Sequence, residues 1–504
     1  MHRPSTPDTE AAFAEELSAV RPELSAPYAE ALPGARAAVL TRLWRALAYE
    51  PLPWIARRDT AGDGLTLRLT DGRRLHGPRA DPYATSAYVT EVRLAGRTYD
   101  RPELLVDALG VPHGPAFAAE LAHSVASMAL SRADRAASCD TPEATEASWM
   151  WEQRIVDGHP YHPNCRARPG FSVAEQLAYG PEHRPSVELG LVAVDGCLVT
   201  GEWPKWLRDG ERVLIPVHPW QTAHVLDAPV QEGFAAHPLM SLRTLAVPDG
   251  PHVKTALSAR LTSSVRDISV YSVETAETVS AFMEGMTAGL DVPLHITRTL
   301  GAATAGFPDL AAVVRESPDG YAGADERCVP VAALPLTLLP EKASWLAEFT
   351  HLVLTAGLRM LELGVALEAH GQNLLVVLDR AGSPVRLVYR DLADIRVSPA
   401  RLARHNIAVP RLSGRIVTDD ETALRRKLFG SLVGGALGAT AGSTAALREA
   451  LETVAPDLPR TEDLPALLGE PLPTKALTLM RLSPETPGDL WTRLPQPLAG
   501  PGSS

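Results

Sequence analysis

Cysteine is scarce in this chain of 504 residues: there are four, and no two of them form a C-x-x-C pair. A zinc ribbon or a redox dithiol is therefore not expected. A chain of this length buries a large core without disulfides, which fits a reducing cytoplasm. No run of about 18 apolar residues occurs, so no membrane span is predicted. Residues 1–16 are polar and acidic, so no signal peptide is predicted either.

Positive charge is also in short supply, since the net charge is −12. Nucleic-acid binding, which needs a basic surface, is therefore excluded as the main function. A local basic pocket for a small anion remains compatible with this charge. Only five lysines stand against 43 arginines, so a lysine inside a motif is informative.

The hydropathy pattern predicts a mixed α+β fold of about two to four domains. Helices are predicted at residues 9–20, 35–49, 102–109, 116–137, 145–156, 273–289, 341–364, 421–432, 445–454 and 464–469, with a break at Pro33-Gly34. Strands are predicted at 187–194, 213–217, 252–262, 294–299, 365–368, 373–378 and 385–389, and a hairpin around Asp71-Gly72. The Pro/Gly/Ser-rich tail 495–504 is predicted to be disordered.

Two histidine-containing segments are the first candidates for chemistry. Residues 158–170 place His159, His162, Arg166 and Arg168 in a Pro/Gly-rich loop. Guanidinium groups match phosphate or carboxylate bidentately, so this loop is a candidate anion site. The second segment, 215–221, carries His218 after a strand, where a histidine is more often structural than catalytic.

A third segment combines Ser241 and Arg243 with a basic strand that begins at Lys254. Residues two apart share one face of a strand, which predicts that Lys254, Ser258, Arg260 and Thr262 lie on the same side. Arg266 follows after a Thr-Ser-Ser run. A lysine with arginines and hydroxyls suits a polyphosphate, although the Walker A pattern is absent.

The fourth segment is the loop Glu368-Ala-His370-Gly-Gln372-Asn373, followed by Arg390-Asp391 after a predicted hairpin. An Asn and a later Asp resemble the Mg²⁺-holding loops of kinase-like folds. Kinases also need an Asp as base in the first loop, and none is present here. ATP and Mg²⁺ binding without phosphoryl transfer to a hydroxyl is therefore predicted.

Taken together, the four segments resemble the IucA/IucC family of NRPS-independent siderophore synthetases. The matching pieces run in order from about residue 145 to 482: Gly158-His-Pro-x-His-Pro163, Pro216-Val-His-Pro-Trp-Gln221, Ser241-x-Arg243-Thr244, Lys254, Thr262-Ser263-Ser264-x-Arg266, Glu368-Ala-His370-x-Gln372-Asn373, Arg390-Asp391 and the stretch from Lys475 to Arg481. Residues 1–150 show the least resemblance. Arg166 stands where the family often has Lys.

The resemblance implies a cupped-hand architecture, usually as a homodimer. It places a thumb at residues 1–150, β-rich fingers at 151–335 and a palm with kinase-like ATP/Mg loops and C-terminal helices at 336–504. It further implies a cytoplasmic ligase that adenylates a polycarboxylic acid, such as citrate or a succinyl derivative, with ATP and Mg²⁺. An amine, hydroxylamine or alcohol then displaces AMP.

The resemblance also implies roles for single residues. Lys254, Arg266 and His370 are the expected catalytic residues, and Asn373 and Asp391 the expected Mg²⁺ ligands. The expected carboxylate-binding residues are Arg266, His370, Gln372 and Lys475. The expected ATP-binding residues are His159, His162, Arg168, Ser241, Arg243, Lys254, Thr262, Ser263, Arg266 and Gln372.

Two other functions stay open at this point. The His370 loop and Arg390-Asp391 alone would also suit an ATP-dependent small-molecule kinase, which releases ADP rather than AMP and pyrophosphate. A non-catalytic carboxylate- or siderophore-binding protein is the third reading, but it would not need Lys254, Arg266, His370, Asn373 and Asp391 together.

Overall fold

The computed structural model describes residues 8–136, 147–261 and 264–499. The helices are α1 Thr9–Val20, α2 Ser25–Tyr49, α3 Pro102–Leu109, α4 Gly114–Ala136, α5 Ser148–Gln153, α6 Val173–Tyr179, α7 Pro219–His224, α8 Val270–Ala288, α9 Ala343–Leu363, α10 Pro399–Arg404, α11 Glu421–Ser431, α12 Gly438–Ala441, α13 Thr444–Val454, α14 Leu464–Gly469 and α15 Leu477–Leu482. Within the described residues, no helix is both long and apolar enough to cross a membrane.

Groups of strands stand between groups of helices along the chain, which confirms the predicted mixed class of helices and strands. They are β1 Ile55–Ala61, β2 Gly64–Leu69, β3 Arg74–Pro78, β4 Val92–Leu94, β5 Arg97–Tyr99, β6 Val187–Val194, β7 Leu198–Gly201, β8 Arg208–Asp209, β9 Arg212–Val217, β10 Gln231–Pro238, β11 Thr244–Ala246, β12 His252–Thr255, β13 Leu257–Leu261, β14 Ser264–Arg266, β15 Leu294–Ile296, β16 Thr299–Thr304, β17 Ala311–Arg315, β18 Arg327–Pro330, β19 Val365–Ala366, β20 Leu374–Leu378, β21 Pro384–Tyr389, β22 Arg396–Val397, β23 Leu472–Lys475 and β24 Trp491–Leu494.

The N-terminal part packs α1, α2 and α4 against a five-stranded meander, β1-β2-β3-β4-β5. The predicted break at Pro33-Gly34 is wrong, because α2 continues through Pro33. A proline removes one backbone hydrogen bond from a helix. The buried face of α2, with Val39, Leu40, Leu43 and Leu47 fully enclosed, holds the helix together across that point.

A nine-stranded sheet forms the middle of the chain, in the order β7-β16-β17-β12-β11-β10-β6-β9-β8. Strands β11, β12 and β17 lie side by side at its centre, and all three pair antiparallel. The register places His252 opposite Arg315 and Lys254 opposite Val313. Lys254 and His252 therefore share one face of β12, with Arg315 beside them.

The predicted single strand over residues 252–262 is wrong. The chain leaves the nine-stranded sheet after Thr255, where the backbone N–H of Ala256 donates to Ala311 O at 3.0 Å. It then forms the separate hairpin β13-β14. Ser258 consequently hydrogen-bonds Gln221 and Asp309 and does not share a face with Lys254.

The C-terminal part is built on a four-stranded mixed sheet, β15-β21-β20-β18, in which β15 and β21 are parallel. Helices α9, α11, α13 and α14 pack on it in one large apolar core. The segment Leu432–Leu437 is π-helical. This segment lies beside the His370 loop, because a Cβ built on Gly435 would be in ordinary van der Waals contact with Cβ of His370, at 3.9 Å.

The C-terminal hairpin β23-β24 and α15 return to the N-terminal part. Glu50, at the end of α2, accepts hydrogen bonds from the backbone N–H groups of Thr478 at 3.1 Å and Leu479 at 2.7 Å. The predicted disorder of the tail does not extend over residues 495–499, because Gln496 is buried and donates to Leu467 O and Glu470 O. Residues 500–504 lie outside the described residues.

Candidate functional site

A partly buried ion pair joins the nine-stranded sheet to the four-stranded sheet. Lys254 Nζ, on β12, lies 2.8 Å from Oδ1 and 2.9 Å from Oδ2 of Asp391, which follows β21. Asp391 has a φ of 66°, a left-handed conformation that few non-glycine residues adopt. Such conformations cluster at functional sites. The expected phosphate ligand and the expected metal ligand therefore contact each other here.

Positive charge exceeds negative charge around this pair. Arg243 and Arg315 both act electrostatically on Asp391, and burial lowers the pKa of each guanidinium to about 10. Burial also lowers the pKa of Lys254 to about 8, against the opposing effect of Asp391. Burial alone would raise the pKa of Asp391, but the surrounding cations hold it well below its usual range. This surplus of cations favours an anionic ligand.

A strained turn positions Arg243. Leu242 has a φ of 62°, and the Ser241 hydroxyl accepts a hydrogen bond from Thr244 N at 3.1 Å. Arg243 Nη1 then donates to Arg266 O at 2.7 Å and to Asp267 O at 2.5 Å. Ser241 thus shapes the turn and Arg243 braces the strand that carries Arg266.

Arg266 lies between the two acidic groups of the site. Its electrostatic partners are Asp391 and Glu368, and burial lowers the pKa of its guanidinium. The structure therefore brings Arg266 together with Lys254, Arg243 and the His370 loop. Thr262 and Ser263, the other expected ATP ligands of this segment, lie outside the described residues.

The loop 368–373 fixes the orientation of His370. Gln372 N donates to Nδ1 of His370 at 3.2 Å, so a neutral ring carries its proton on Nε2. Burial lowers the pKa of His370, which keeps the ring neutral at pH 7. The side chain of Asn373 donates to Glu368 O at 3.3 Å and closes the loop.

Arg390 anchors the same loop from the other side. Its backbone N donates to Asn373 O at 2.9 Å and its Nε to Gln372 O at 3.0 Å. Its Nη1 lies 2.7 Å from Oε1 of Glu152, and both side chains are almost fully enclosed. This buried pair holds Asn373, just before β20, and Asp391, just after β21, at adjoining strand ends.

The expected Mg²⁺ ligands form only a partial site by themselves. Among residues 8–136, 147–261 and 264–499, no three His, Cys, Asp or Glu side chains group in a way that could hold a metal ion. Protein-bound Mg²⁺ commonly uses one or two carboxylates and takes its other ligands from substrate phosphates and water. The carboxylate of Asp391 and the amide of Asn373 fit that mode, which requires a phosphate ligand beside them.

A second charged cluster borders the His370 loop. Lys427 is buried and contacts Glu368 at 3.0 Å and Asp394 at 3.1 Å. Lys475, an expected carboxylate ligand, lies 3.4 Å from Glu368 and 3.2 Å from Asp489. The structure therefore places Lys475 at this site with its ammonium partly exposed.

His159 and His162 approach the site from the loop 158–170. Nδ1 of His159 accepts a hydrogen bond from Tyr161 N at 3.1 Å. Burial, followed by the proximity of His162 and His370, lowers the pKa of His159. Burial likewise lowers the pKa of His162 to about 3, with Arg481 and Arg266 as its charged neighbours. Both rings are therefore neutral at pH 7 and belong to the His370 and Arg266 side of the site.

The structure pairs Arg168, an expected ATP-binding residue, with an enclosed carboxylate. Its guanidinium contacts the carboxylate of Glu182 at 2.7 and 3.1 Å, and both side chains are enclosed. Arg166 contacts the same carboxylate at 2.9 Å and donates to Val156 O at 3.0 Å. These arginines hold the loop in place. His218 also has a structural contact, because its Nδ1 accepts a hydrogen bond from Trp220 N at 3.1 Å at the start of α7.

Some residues of the site were given no role from the sequence, although Glu368 and Arg481 stand in motifs quoted above. They are Arg315, Glu152, Glu368, Lys427 and Arg481. The scarcity of lysine could have pointed to Lys427, because it is one of only five lysines in the chain. Three of these five lysines stand in this site. No sequence pattern points to Arg315, since it is a single charge at the end of an apolar strand.

A cavity of about 1250 Å³ adjoins the cluster but is lined by none of the predicted site residues. Its wall includes His252, which stands two residues before Lys254 on the same face of β12, and Trp149. The charged cluster, not this cavity, carries the candidate chemistry.

Comparison with models of known protein families gives matches in both the middle and the C-terminal part of the chain. Residues 147–335 match the IucA / IucC family, and residues 343–489 match the model described as "Ferric iron reductase FhuF-like transporter". The chain is therefore related to the IucA/IucC family, which confirms the resemblance predicted from the sequence.

The chain is also similar in sequence to curated proteins named for siderophore biosynthesis and citryl ligation. The chain is 26% identical over 333 residues to the citryl-spermidine/3,4-dihydroxybenzoyl-citryl-spermidine:spermidine ligase of Bacillus anthracis, covering 51% of this chain and 53% of the relative. It is 28% identical over 313 residues to the rhizobactin siderophore biosynthesis protein RhbC of Rhizobium meliloti, covering 48% and 53%. The match thus spans about half the length of these relatives.

Solved structures show the same fold over most of the chain. The petrobactin biosynthesis protein AsbB of Bacillus anthracis superposes with a TM-score of 0.76 at 18% identity, covering 94% of this chain and 98% of that one. The ATP-bound aerobactin synthetase IucA of Klebsiella pneumoniae gives a TM-score of 0.67 at 19% identity, covering 92% and 99%. With sequence identities of 18% and 19%, these two comparisons show that this chain has the same fold as the two structures.

Proposed function

We propose that the protein is an ATP-dependent ligase that activates a carboxylic acid as an acyl-adenylate and transfers the acyl group to an amine, hydroxylamine or alcohol. The observation that carries this proposal is the excess of cations around Asp391. Lys254, Arg243, Arg266 and Arg315 converge there beside a neutral His370. Attack of a carboxylate on a phosphate brings two anions together, and such a cluster offsets their repulsion.

The triphosphate of ATP would bind along Lys254, Arg243 and Arg266, with Ser241 and Gln372 nearby. Its phosphates would compete with Asp391 for the Lys254 ammonium. The adjoining cavity has ample volume for the nucleoside and begins at His252 on the same strand face.

Asp391 and Asn373 would hold Mg²⁺ together with the phosphates. When bound, the ion neutralises phosphate charge. The release of Asp391 from Lys254 would make both carboxylate oxygens available for this role, because both contact the ammonium in the structure described here.

Arg266 and the Nε2–H of His370 would bind the reacting carboxylate, with Lys475 and Gln372 at the rim. A carboxylate oxygen bonds to the α-phosphorus while the bond to the β-phosphate oxygen breaks, which releases pyrophosphate. The nucleophile then bonds to the acyl carbon, the acyl–oxygen bond breaks, and AMP leaves with both electrons of that bond. The proton lost by the nucleophile passes to solvent. Lys254 and Arg266 stabilise the charge that develops at phosphorus.

The names of the relatives support a citrate-type acid and a small amine. One Bacillus anthracis relative is a spermidine–citrate ligase, and one Staphylococcus aureus relative is a D-ornithine–citrate ligase. For this chain, citrate, its monoamides and succinyl derivatives are accordingly the first acids to examine.

Product analysis tests the proposal. The protein is incubated with ATP, Mg²⁺, hydroxylamine and each of citrate, succinate and 2-oxoglutarate, and nucleotides are separated by chromatography. We expect acid-dependent AMP and pyrophosphate together with a hydroxamate. ADP in their place would favour the kinase, and ATP-independent binding of the acid without turnover would favour a binding protein.

A further inference from the structure

A small pocket lies between α11, the end of α14 and the hairpin β23-β24. Its volume is about 160 Å³. Pockets that hold drug-sized ligands have roughly 300–1,000 Å³, so this one suits a small ion or molecule and not a nucleotide. None of the site residues predicted from the sequence lines it.

Three guanidinium groups and one carboxylate line this pocket. Arg425 and Arg426 come from α11, Arg493 comes from β24, and Glu470 supplies the carboxylate. Like charges repel each other when they are brought together, and the exposed Glu470 offsets only one of the three positive charges. The surplus of cations in this pocket favours an anionic ligand, although the chain as a whole carries a net charge of −12.

Two of the three arginines have no carboxylate partner in the part of the chain that the structure describes. Arg425 does have one, because its Nε lies 2.7 Å from Oδ1 of Asp463. Asp463 is fully enclosed and also binds Arg401 at 2.6 Å, so two guanidinium groups already share it. The guanidinium groups of Arg426 and Arg493 make no hydrogen bond or ion pair with other described residues. Arg426 is nevertheless half-buried.

Two aromatic rings, Phe429 and Trp491, form the apolar wall of the pocket. A Cβ on Gly430 would stand 2.9 Å from Cζ3 of Trp491 and 3.2 Å from Pro473 O, so the glycine lets the hairpin pack closely against α11. The close approach brings arginines from both elements to one pocket. Beside apolar side chains the effective dielectric constant is lower than in water, which strengthens the attraction between a guanidinium group and an anion.

Helix α11 separates this pocket from the candidate site. Successive residues of an α-helix point about 100° apart. Arg426 accordingly lines the pocket, while the next residue, Lys427, contacts Glu368 at 3.0 Å. On the hairpin, Trp491 lies directly opposite Lys475. An anion in the pocket would therefore join α11 to the pair of strands that carries Lys475.

We propose that this pocket binds a small oxyanion of the phosphate type, held by Arg426 and Arg493 with Arg425 beside them. Guanidinium groups bind phosphate oxygens in pairs of parallel hydrogen bonds. A tetrahedral dianion accepts such bonds from several directions, which suits donors that come from a helix and a strand. A single carboxylate is planar and matches one guanidinium group. The proposal goes beyond the acid-activating function and does not depend on it.

Calorimetric titration of the full-length protein with inorganic phosphate, at constant ionic strength, tests this site. The candidate site also attracts phosphate, so the titrations use Lys254→Gln as the background. Phosphate binding should persist in this background. Adding Arg426→Gln or Arg493→Gln should weaken it at least roughly tenfold, since each removes hydrogen bonds between charged groups. Adding Arg411→Gln, at an exposed arginine, is the control and should leave it unchanged.

Thermal unfolding of the single variants, with Lys254 intact, separates binding from a structural role. Phosphate that binds the native state raises Tm, and phosphate also stabilises proteins in general. The Arg411→Gln control contains both effects. We expect phosphate to raise Tm less in Arg426→Gln and Arg493→Gln than in this control. Without phosphate, both variants should unfold at the wild-type temperature or above it, because each loses a repelling charge and no ion pair.

Two results would overturn the proposal. One is that Arg426→Gln and Arg493→Gln bind phosphate as tightly as the control does. The other comes from titration with succinate, a dianion without a tetrahedral centre. Arg426→Gln should weaken succinate binding less than phosphate binding, and an equal loss for both anions would overturn the assignment to phosphate.

Discussion

Lys254 and Asp391 are 137 residues apart in the sequence, yet the lysine ammonium lies 2.8 and 2.9 Å from the two carboxylate oxygens. This pair connects the two sheets at the centre of the candidate site. In the proposed function, this ion pair separates when ATP binds: the Lys254 ammonium then binds a phosphate, and the Asp391 carboxylate binds Mg²⁺. Four predictions concern this exchange and the residues around it.

The first prediction is a pH dependence of ATP binding set by Lys254. Burial lowers the pKa of this ammonium to about 8. The protonated form binds phosphate, so ATP affinity should be highest below pH 8 and should fall as the pH rises to 9.5. Lys254→Arg keeps its charge over this range and should lose the pH dependence. Calorimetric Kd values between pH 7.5 and 9.5 measure it.

The control for this measurement is Lys205→Arg, at an exposed lysine. That variant should follow the wild-type curve. A Lys254→Arg protein with an unchanged fall in affinity above pH 8 would show that another group sets the profile.

The second prediction concerns the residues at the reacting carboxylate. Arg266→Ala and His370→Ala should each lower the rate of acid-dependent pyrophosphate release by at least about 10²–10³, because each removes a donor or charge at the reacting centre. Circular dichroism should report a native fold for both. Arg411→Ala, at an exposed arginine, should keep full activity. Full activity in either site variant would remove that residue from the site.

The third prediction concerns Mg²⁺. Addition of EDTA should stop pyrophosphate release, and excess Mg²⁺ should restore it. Asp391→Asn removes the only carboxylate expected to hold the ion, so the Mg²⁺ concentration for half-maximal rate should rise about tenfold or more. Asp195→Asn, at an exposed aspartate, serves as the control. An unchanged Mg²⁺ requirement in Asp391→Asn would contradict the assignment.

The fourth prediction separates a structural arginine from the nucleotide site. Arg168→Ala leaves the enclosed Glu182 with Arg166 as its one remaining arginine partner among the described residues. We expect the free energy of unfolding in denaturant to fall by about 2–3 kcal/mol, and the Kd for ATP to stay within about twofold. Arg404→Ala, which breaks a largely exposed pair with Glu462, should leave the free energy of unfolding unchanged within the error of the measurement. Loss of ATP binding by folded Arg168→Ala would restore its predicted role.

Periodicity predicted long elements well, because their buried faces repeat along the sequence. Helix α1 and strand β6 have the predicted bounds, and α9 differs by two residues at its start and one at its end. The errors came from long-range contacts. The strand that carries Lys254 ends at Thr255 because Ala256 bonds Ala311, a residue 55 positions later, and no local pattern shows this.

The site was predictable where residues stand in motifs and not where a lone charge comes from a distant element. Lys254, Arg266, His370 and Asp391 were named from the sequence and lie together. The pairing of Arg168 with Glu182 was not predictable, because Glu182 has no motif of its own; the nucleotide role of Arg168 stays a prediction. The domain boundaries at 150 and 335, the homodimer and the cytoplasmic location stay predictions.

The most direct test of the central claim follows an oxygen atom. The acid identified by product analysis is labelled with ¹⁸O in its carboxylates and incubated with ATP, Mg²⁺ and hydroxylamine, and the phosphorus products are examined by mass spectrometry. Activation through an acyl-adenylate transfers one carboxylate oxygen to phosphorus, so we predict AMP that carries one ¹⁸O and unlabelled pyrophosphate. Labelled inorganic phosphate with ADP, or unlabelled AMP, would contradict the account.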